Sequence, residues 1–126
     1  MRASPDQLPL LLQAGPASVR GADWGGMRMA VVSVPAGTDF GPLLRGLPDD
    51  LCPSPHWGYV ASGRLRVEYA DGTSETVGAG QVCYLPAGHT GVSEEDLVFI
   101  ELSPPDEHDR FVAAAQENLA AMAAGA

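Results

Sequence analysis

Between Arg64 and Ala70 the chain alternates without exception. Leu65, Val67 and Tyr69 share one side, and Arg64, Arg66 and Glu68 share the other. A period of two is that of a half-buried strand, so the first set is expected to point inward. Asp71-Gly72 follows, a hairpin signal because both central residues of a type I′ turn take positive φ. Residues 73–77 then read as the returning strand. Gly78-Ala79-Gly80 turns the chain again, and residues 81–85 read as another strand before the corner Pro86-Ala87-Gly88. Residues 56–62, ahead of Gly63, and 97–102 (LVFIEL) have the same character. Residues 27–35 (MRMAVVSVP) are rich in β-branched side chains. Met27, Met29, Val31 and Ser33 fall on one face of that strand, and Arg28, Ala30, Val32 and Val34 on the other. Few polar residues on either face predict a central strand.

Elsewhere the pattern weakens. Residues 1–15 read as an arm with a short helical turn from Pro5 to Gln13, and 16–21 as a short edge strand. Residues 39–47 do not alternate, and a single turn around Leu43 and Leu44 is expected. Pro48, Pro53 and Pro55 then stiffen the loop from Leu47 to Pro55 that carries Asp49, Asp50 and Cys52. After the last strand, Ser103 reads as a helix N-cap with Pro104 at the first helical position. Phe111, Ala115, Leu119 and Met122 fall at helical spacing and predict a docking face. His108, among Asp106, Glu107, Asp109 and Arg110, is placed on the solvent side. Many short strands with regular turns and one terminal helix imply an all-β sandwich or barrel. The 126 residues are read as one domain, with a barrel core over about 24–103, an arm over 1–15 and a C-terminal α-helix over about 104–123.

Composition narrows the function classes. The net charge is −9, and all seven cations are Arg, which excludes Schiff-base chemistry through a lysine side chain. No basic cluster exists to hold phosphates, so nucleic acid is not an expected partner, and the acidic field disfavours anionic membrane surfaces. The apolar run Leu8–Leu12 is short and contains Pro9, unlike the core of a signal peptide, and a cytoplasmic location is expected. Two cysteines make no disulfide framework; a Cys52–Cys83 bridge is the simplest alternative use of the pair. No Ser-His-Asp pattern or phosphate-cradling glycine loop is present, which ranks hydrolase and kinase readings low.

Three side chains that bind metals well lie at the edges of the strand-rich stretch: Cys52, His56 and His89. A thiolate with two imidazoles suits zinc better than iron, nickel or manganese and leaves a fourth position for water or substrate. Asp50 is a candidate fourth ligand or general base. The same residues also admit a structural reading, in which Cys52 packs as a small hydrophobe and the histidines are satisfied by hydrogen bonds. Trp57 and Tyr59 lie opposite His56 by parity and read as core or dimer-interface residues. Cys83 is expected to be buried in its strand, and Tyr84 and Glu101 are candidates to line a pocket.

Residues 27–102 resemble the cupin family, small double-sheet jelly rolls. Cupins carry a first motif of two histidines one residue apart, a glutamate three or four residues on, then six residues and a glycine. Gly63 matches that glycine. Counting back places His56 at the glutamate, Cys52 at the second histidine and Asp50 at the first. The second motif runs glycine, five residues, proline, one residue, glycine, two residues, histidine. Gly80, Pro86 and Gly88 match it, but Gly91 stands at the histidine position and the histidine present is His89. A shift of two keeps a side chain on the same face of an extended chain. The stretch CPSPHWGYVASGRL is similar to that of small single-domain bacterial cupins. The resemblance implies a cupin-type jelly-roll barrel, one divalent metal ion and a homodimer. The apolar strand at 27–34 and the stripe from Phe111 to Met122 give the dimer a second motive. It also implies two functions: an enzyme of isomerase, cyclase, dehydratase or oxygenase type acting on a small polar or carbonyl-bearing metabolite, or a non-catalytic binding module serving as a sensor or accessory subunit.

Overall fold

The computed structural model describes residues 1–125. Nine antiparallel strands form two sheets, followed by one helix. The strands are β1 (Leu10–Ala14), β2 (Ala17–Trp24), β3 (Met27–Val34), β4 (His56–Ser62), β5 (Arg64–Tyr69), β6 (Ser74–Gly78), β7 (Val82–Leu85), β8 (His89–Ser93) and β9 (Leu97–Ser103); the helix is α1 (Pro105–Ala124). The larger sheet has the order β1-β2-β3-β9-β4-β7 and the smaller β6-β5-β8. Their inner faces meet in one core that includes Leu12, Val19, Val32, Val34, Val60, Leu65, Val67, Val77, Leu85, Leu97 and Phe99. This is the two-layer β architecture with a C-terminal helix that the alternation predicts.

The faces fall as read. Leu65 and Val67 are buried between exposed Arg64, Arg66 and Glu68, and Tyr69 is half-buried. β3 lies between β2 and β9 and turns Arg28, Ala30, Val32 and Val34 inward. Two glycines permit the tight closure. Gly58 of β4 leaves space that the Phe99 ring fills, since an added Cβ would lie 2.2 Å from its Cζ. Gly63 links β4 to β5 at φ +85°, where a Cβ would lie 2.0 Å from the Asp96 carbonyl oxygen.

Five local expectations are corrected. The predicted helical turn from Pro5 to Gln13 is a 3-10 turn over Pro5–Gln7 followed by strand β1. A register shift between Leu10 and Leu12 leaves Leu10 exposed and Leu12 buried, and Gly15, at φ +56°, folds β1 back onto β2. β2 is therefore not an edge strand. At Asp71-Gly72 only Gly72 takes positive φ, and its N–H donates to the Tyr69 carbonyl, so the turn is not type I′. The helix cap is Pro104, with Pro105 opening the helix; Ser103 stays in β9, where its hydroxyl is used inside the barrel.

The fifth correction concerns His108, which is fully buried rather than solvated. It precedes Phe111 by three residues and Ala115 by seven, which puts all three on one face of the helix. That face docks on the barrel, and Asn118 ties the far end by donating to the Leu43 and Arg45 carbonyls.

Gly72 has open space around the position of an added Cβ, although its φ is also +85°. Gly72→Ala is therefore expected to cost about 1–2 kcal/mol, the left-handed penalty alone. Gly63→Ala meets the same penalty plus a backbone clash and is expected to cost more than ~3 kcal/mol. Urea midpoints of the two variants check the difference.

Candidate metal centre

The loop carrying Cys52 is built into the smaller sheet. The Cys52 N–H donates to the His89 carbonyl and the Gly88 N–H donates to the Cys52 carbonyl, both at 2.8 Å. This bridge sets Cys52 directly across from His89. His56 opens β4, opposite Leu85 of β7, and points inward with Gly58 and Val60. The ligand atoms of Cys52, His56 and His89 all lie within 4.8 Å of one another, and all three residues are buried. Cys52 Sγ stands 3.7 Å from His56 Nε2. Bond lengths of about 2.3 Å to sulfur and 2.05 Å to nitrogen at a tetrahedral angle imply a separation near 3.6 Å.

Each imidazole is oriented through its other nitrogen. His89 Nδ1 donates to the Pro86 carbonyl at 2.7 Å, which leaves Nε2 as the free lone pair. His56 Nδ1 lies 2.7 Å from the Ser103 hydroxyl and 3.5 Å from Glu101 Oε2. An N–H held by a carbonyl or carboxylate, with the opposite nitrogen bare, is the arrangement metal-binding histidines use. The donor set therefore fits a borderline-soft dication.

Burial decides the protonation of the unliganded cluster. It pushes His56 down to about 4, against the pull of the Glu101 carboxylate, and also lowers His89. It pushes the Cys52 thiol up to about 12, with the Glu101 charge acting in the same sense. At neutral pH the cluster is a thiol beside two neutral imidazoles. Glu101 sits on the inner face of β9 at 4% exposure. Burial works to raise its carboxyl, but His56 and His108 outweigh it and hold it below the usual value.

These groups form the polar end of a cavity of about 60 Å³. Cys52, His56, His89 and Glu101 line one end, and apolar groups that include Val32, Phe40, Leu44, Leu65, Leu85, Phe99 and Phe111 line the rest. Glu101 thus lines the pocket, as one of two candidates. Tyr84, the other, is exposed on the outside of β7. Asp50 is exposed, takes φ +56°, and accepts the Gly46 N–H, so it does not join the cluster. Trp57 and Tyr59 point away from His56 and are exposed, so the core reading for them is excluded. Cys52 and Cys83 are both free, and Cys83 is half-buried.

The barrel is similar to solved structures. Over 81% of this chain it matches 28% of Bacillus subtilis oxalate decarboxylase, with a TM-score of 0.60 and 20% identity. It matches 81% of the Neisseria meningitidis protein NMB1881 over 68% of this chain, with a TM-score of 0.54 and 20% identity. A Salmonella typhimurium protein named for ethanolamine utilization matches over 71% of this chain and 69% of its own length, with a TM-score of 0.54 and 14% identity. The chain has a small cupin fold. At these identities the likeness extends to the fold, and the chain spans well under a third of the decarboxylase. No protein-family model matches the sequence, and no curated protein is significantly similar to it. Among the described residues, no helix is long and apolar enough to cross a membrane.

His56 titrates near 6.5 when exposed and near 4 in the folded cluster. Between those values the unfolded chain binds more protons, so stability present above pH 6.5 is lost as pH falls toward 4. For chelator-treated protein the expected loss is on the order of 3 kcal/mol. Urea midpoints measured from pH 7 to 4.5 check it, and a flat profile would contradict it.

Proposed function

We propose that this cupin binds one divalent cation, zinc, through Cys52, His56 and His89, and acts on a small carbonyl-bearing or polar metabolite at the position left open. The observation that carries this reading is the orientation of the three donors, with His89 Nε2 free and His56 Nε2 facing the Cys52 sulfur at 3.7 Å. Charge supports it. A bound thiolate and the Glu101 carboxylate together offset a dication inside an otherwise apolar barrel, where an unbalanced charge is costly. Bound there, the ion would supply Lewis acidity toward a carbonyl oxygen or acidify a water. The chain's own residues orient the donors and exclude bulk water. Three protein donors with an adjoining cavity favour the enzyme reading over a closed structural or sensor site.

The expected outcome is near-stoichiometric zinc in wild type after metal-supplemented expression, with loss of metal in Cys52→Ala and in His89→Ala. Cys83→Ala, outside the cluster, is expected to keep it. Elemental analysis of the purified proteins decides the matter, and a wild type without metal overturns the site. Because Cys52 is a thiol and both histidines are neutral before binding, each zinc bound at pH 7 is expected to release one proton, read by an indicator dye in weak buffer.

We also propose a homodimer that meets through the outer face of β4, β7 and β9. Trp57, Tyr59, Val82, Tyr84 and Leu102 are exposed there at 39–80%, and the Trp57 and Tyr84 rings lie 5.3 Å apart. The only acid on these three strands is Glu101, which points inward. On a chain of net charge −9, this face lets two copies meet without opposing carboxylates. The stripe on α1 does not serve, since Phe111 and Ala115 are already buried against the barrel. Sedimentation velocity at micromolar concentration is expected to show a dimer that Trp57→Glu converts to monomer. A monomeric wild type would refute the interface.

A further inference from the structure

The groups behind His56 form an unbroken buried chain. Glu101 Oε1 lies 3.1 Å from His108 Nε2 of α1, and His108 Nδ1 lies 3.1 Å from Arg28 Nη1 of β3. Arg28 donates onward to Asp23 at 2.7 and 3.2 Å and to Asp109 at 2.7 Å, and those carboxylates reach solvent. A guanidinium has donors only. His108 Nδ1 must therefore accept, which puts the ring's proton on Nε2, donating to Glu101.

The other carboxylate oxygen then faces His56 Nδ1 at 3.5 Å. A bare lone pair there would be repelled, whereas an N–H is attracted. The Ser103 hydroxyl, 2.7 Å away, can donate or accept and so does not decide between the two states. We infer that Glu101, held by His108 and Arg28, is the positioning residue that keeps the His56 proton on Nδ1 and its Nε2 lone pair turned toward Cys52 and His89. His56 and His108 accordingly carry opposite tautomers. The C-terminal helix, through His108, controls a ligand-binding nitrogen it does not touch. The consequence for metal rests on the proposed function, whereas the tautomers do not.

The substitution Glu101→Gln makes the reading testable. The His108 N–H would take the new amide oxygen, which leaves the amide N–H facing His56 Nδ1. That nitrogen must then accept, and the His56 proton moves to Nε2, the metal-binding atom. His108→Gln is the conservative counterpart. Its amide oxygen can accept from Arg28 and its N–H can donate to Glu101, so His56 is left unchanged.

Side-chain ¹⁵N NMR of chelator-treated protein at pH 7.5 reads which ring nitrogen is protonated. Wild type is expected to show His56 protonated on Nδ1 and His108 on Nε2. Glu101→Gln should show His56 switched to Nε2, and His108→Gln should show it as in wild type. In competition with a chromophoric chelator, zinc affinity should fall about ten- to hundredfold in Glu101→Gln and stay within about threefold in His108→Gln. A wild-type proton on His56 Nε2 or His108 Nδ1 would overturn the inference, as would a His56 signal unmoved by Glu101→Gln. The wild-type spectrum decides the tautomers even if that variant fails to fold. Wild-type tautomers as described, without zinc binding, would support the positioning role and remove the metal.

Discussion

One carboxylate in the middle of an apolar barrel is the constraint from which much of this molecule follows. Glu101 is 4% exposed, on a strand whose inward neighbours are Phe99 and Ser103. An ionised carboxylate in such a place costs several kcal/mol unless its oxygens are paired and hydrogen-bonded. His108 satisfies one oxygen and His56 faces the other. His108 in turn requires a donor at its far nitrogen, which is the reason a strand as apolar as β3 turns Arg28 inward. Arg28 spreads its remaining donors over Asp23 and Asp109, one next to the β2–β3 turn and one on the helix. The helix thus docks through an electrostatic chain as well as through Phe111 and Ala115.

The same chain divides the cavity into two chemical ends. Apolar side chains line most of it, and the thiol, two imidazoles and carboxylate gather at the other end. Backbone geometry makes that gathering rigid. Cys52 is hydrogen-bonded directly to the start of β8, between a left-handed pair at Asp49 and Asp50 and the prolines at 53 and 55. Donors held this firmly would lose little entropy on engaging an ion, although they come from stretches far apart in the chain.

The exterior is organised by charge as well. Fifteen of the sixteen acids lie outside β4, β7 and β9, and the sixteenth, Glu101, faces inward. Surfaces without carboxylates on a strongly acidic chain are where like-charged copies approach at least electrostatic cost.

Local pattern determined a good deal by itself. Alternation at Leu65, Val67 and Tyr69 told inside from outside because side-chain direction in a strand depends only on parity. Counting back from Gly63 put Cys52 and His56 at ligand positions of the cupin pattern, whereas His89 stands two residues before the position counted from Gly80, and it is the folded chain that brings the three side chains together. The same counting put Asp50 at a ligand position, yet two left-handed residues turn it to solvent, a backbone choice that spacing does not encode. His108 was within reach of the helical period that marked Phe111 and Ala115, but four charged neighbours concealed it. What only the tertiary structure decided is which ionisable groups meet. Arg28 and His108 are 80 residues apart, and Glu101 becomes central only because β9 lies between β3 and β4. Burial and partners set the charge state and tautomer of a side chain, and both come into existence only once the sheets have closed.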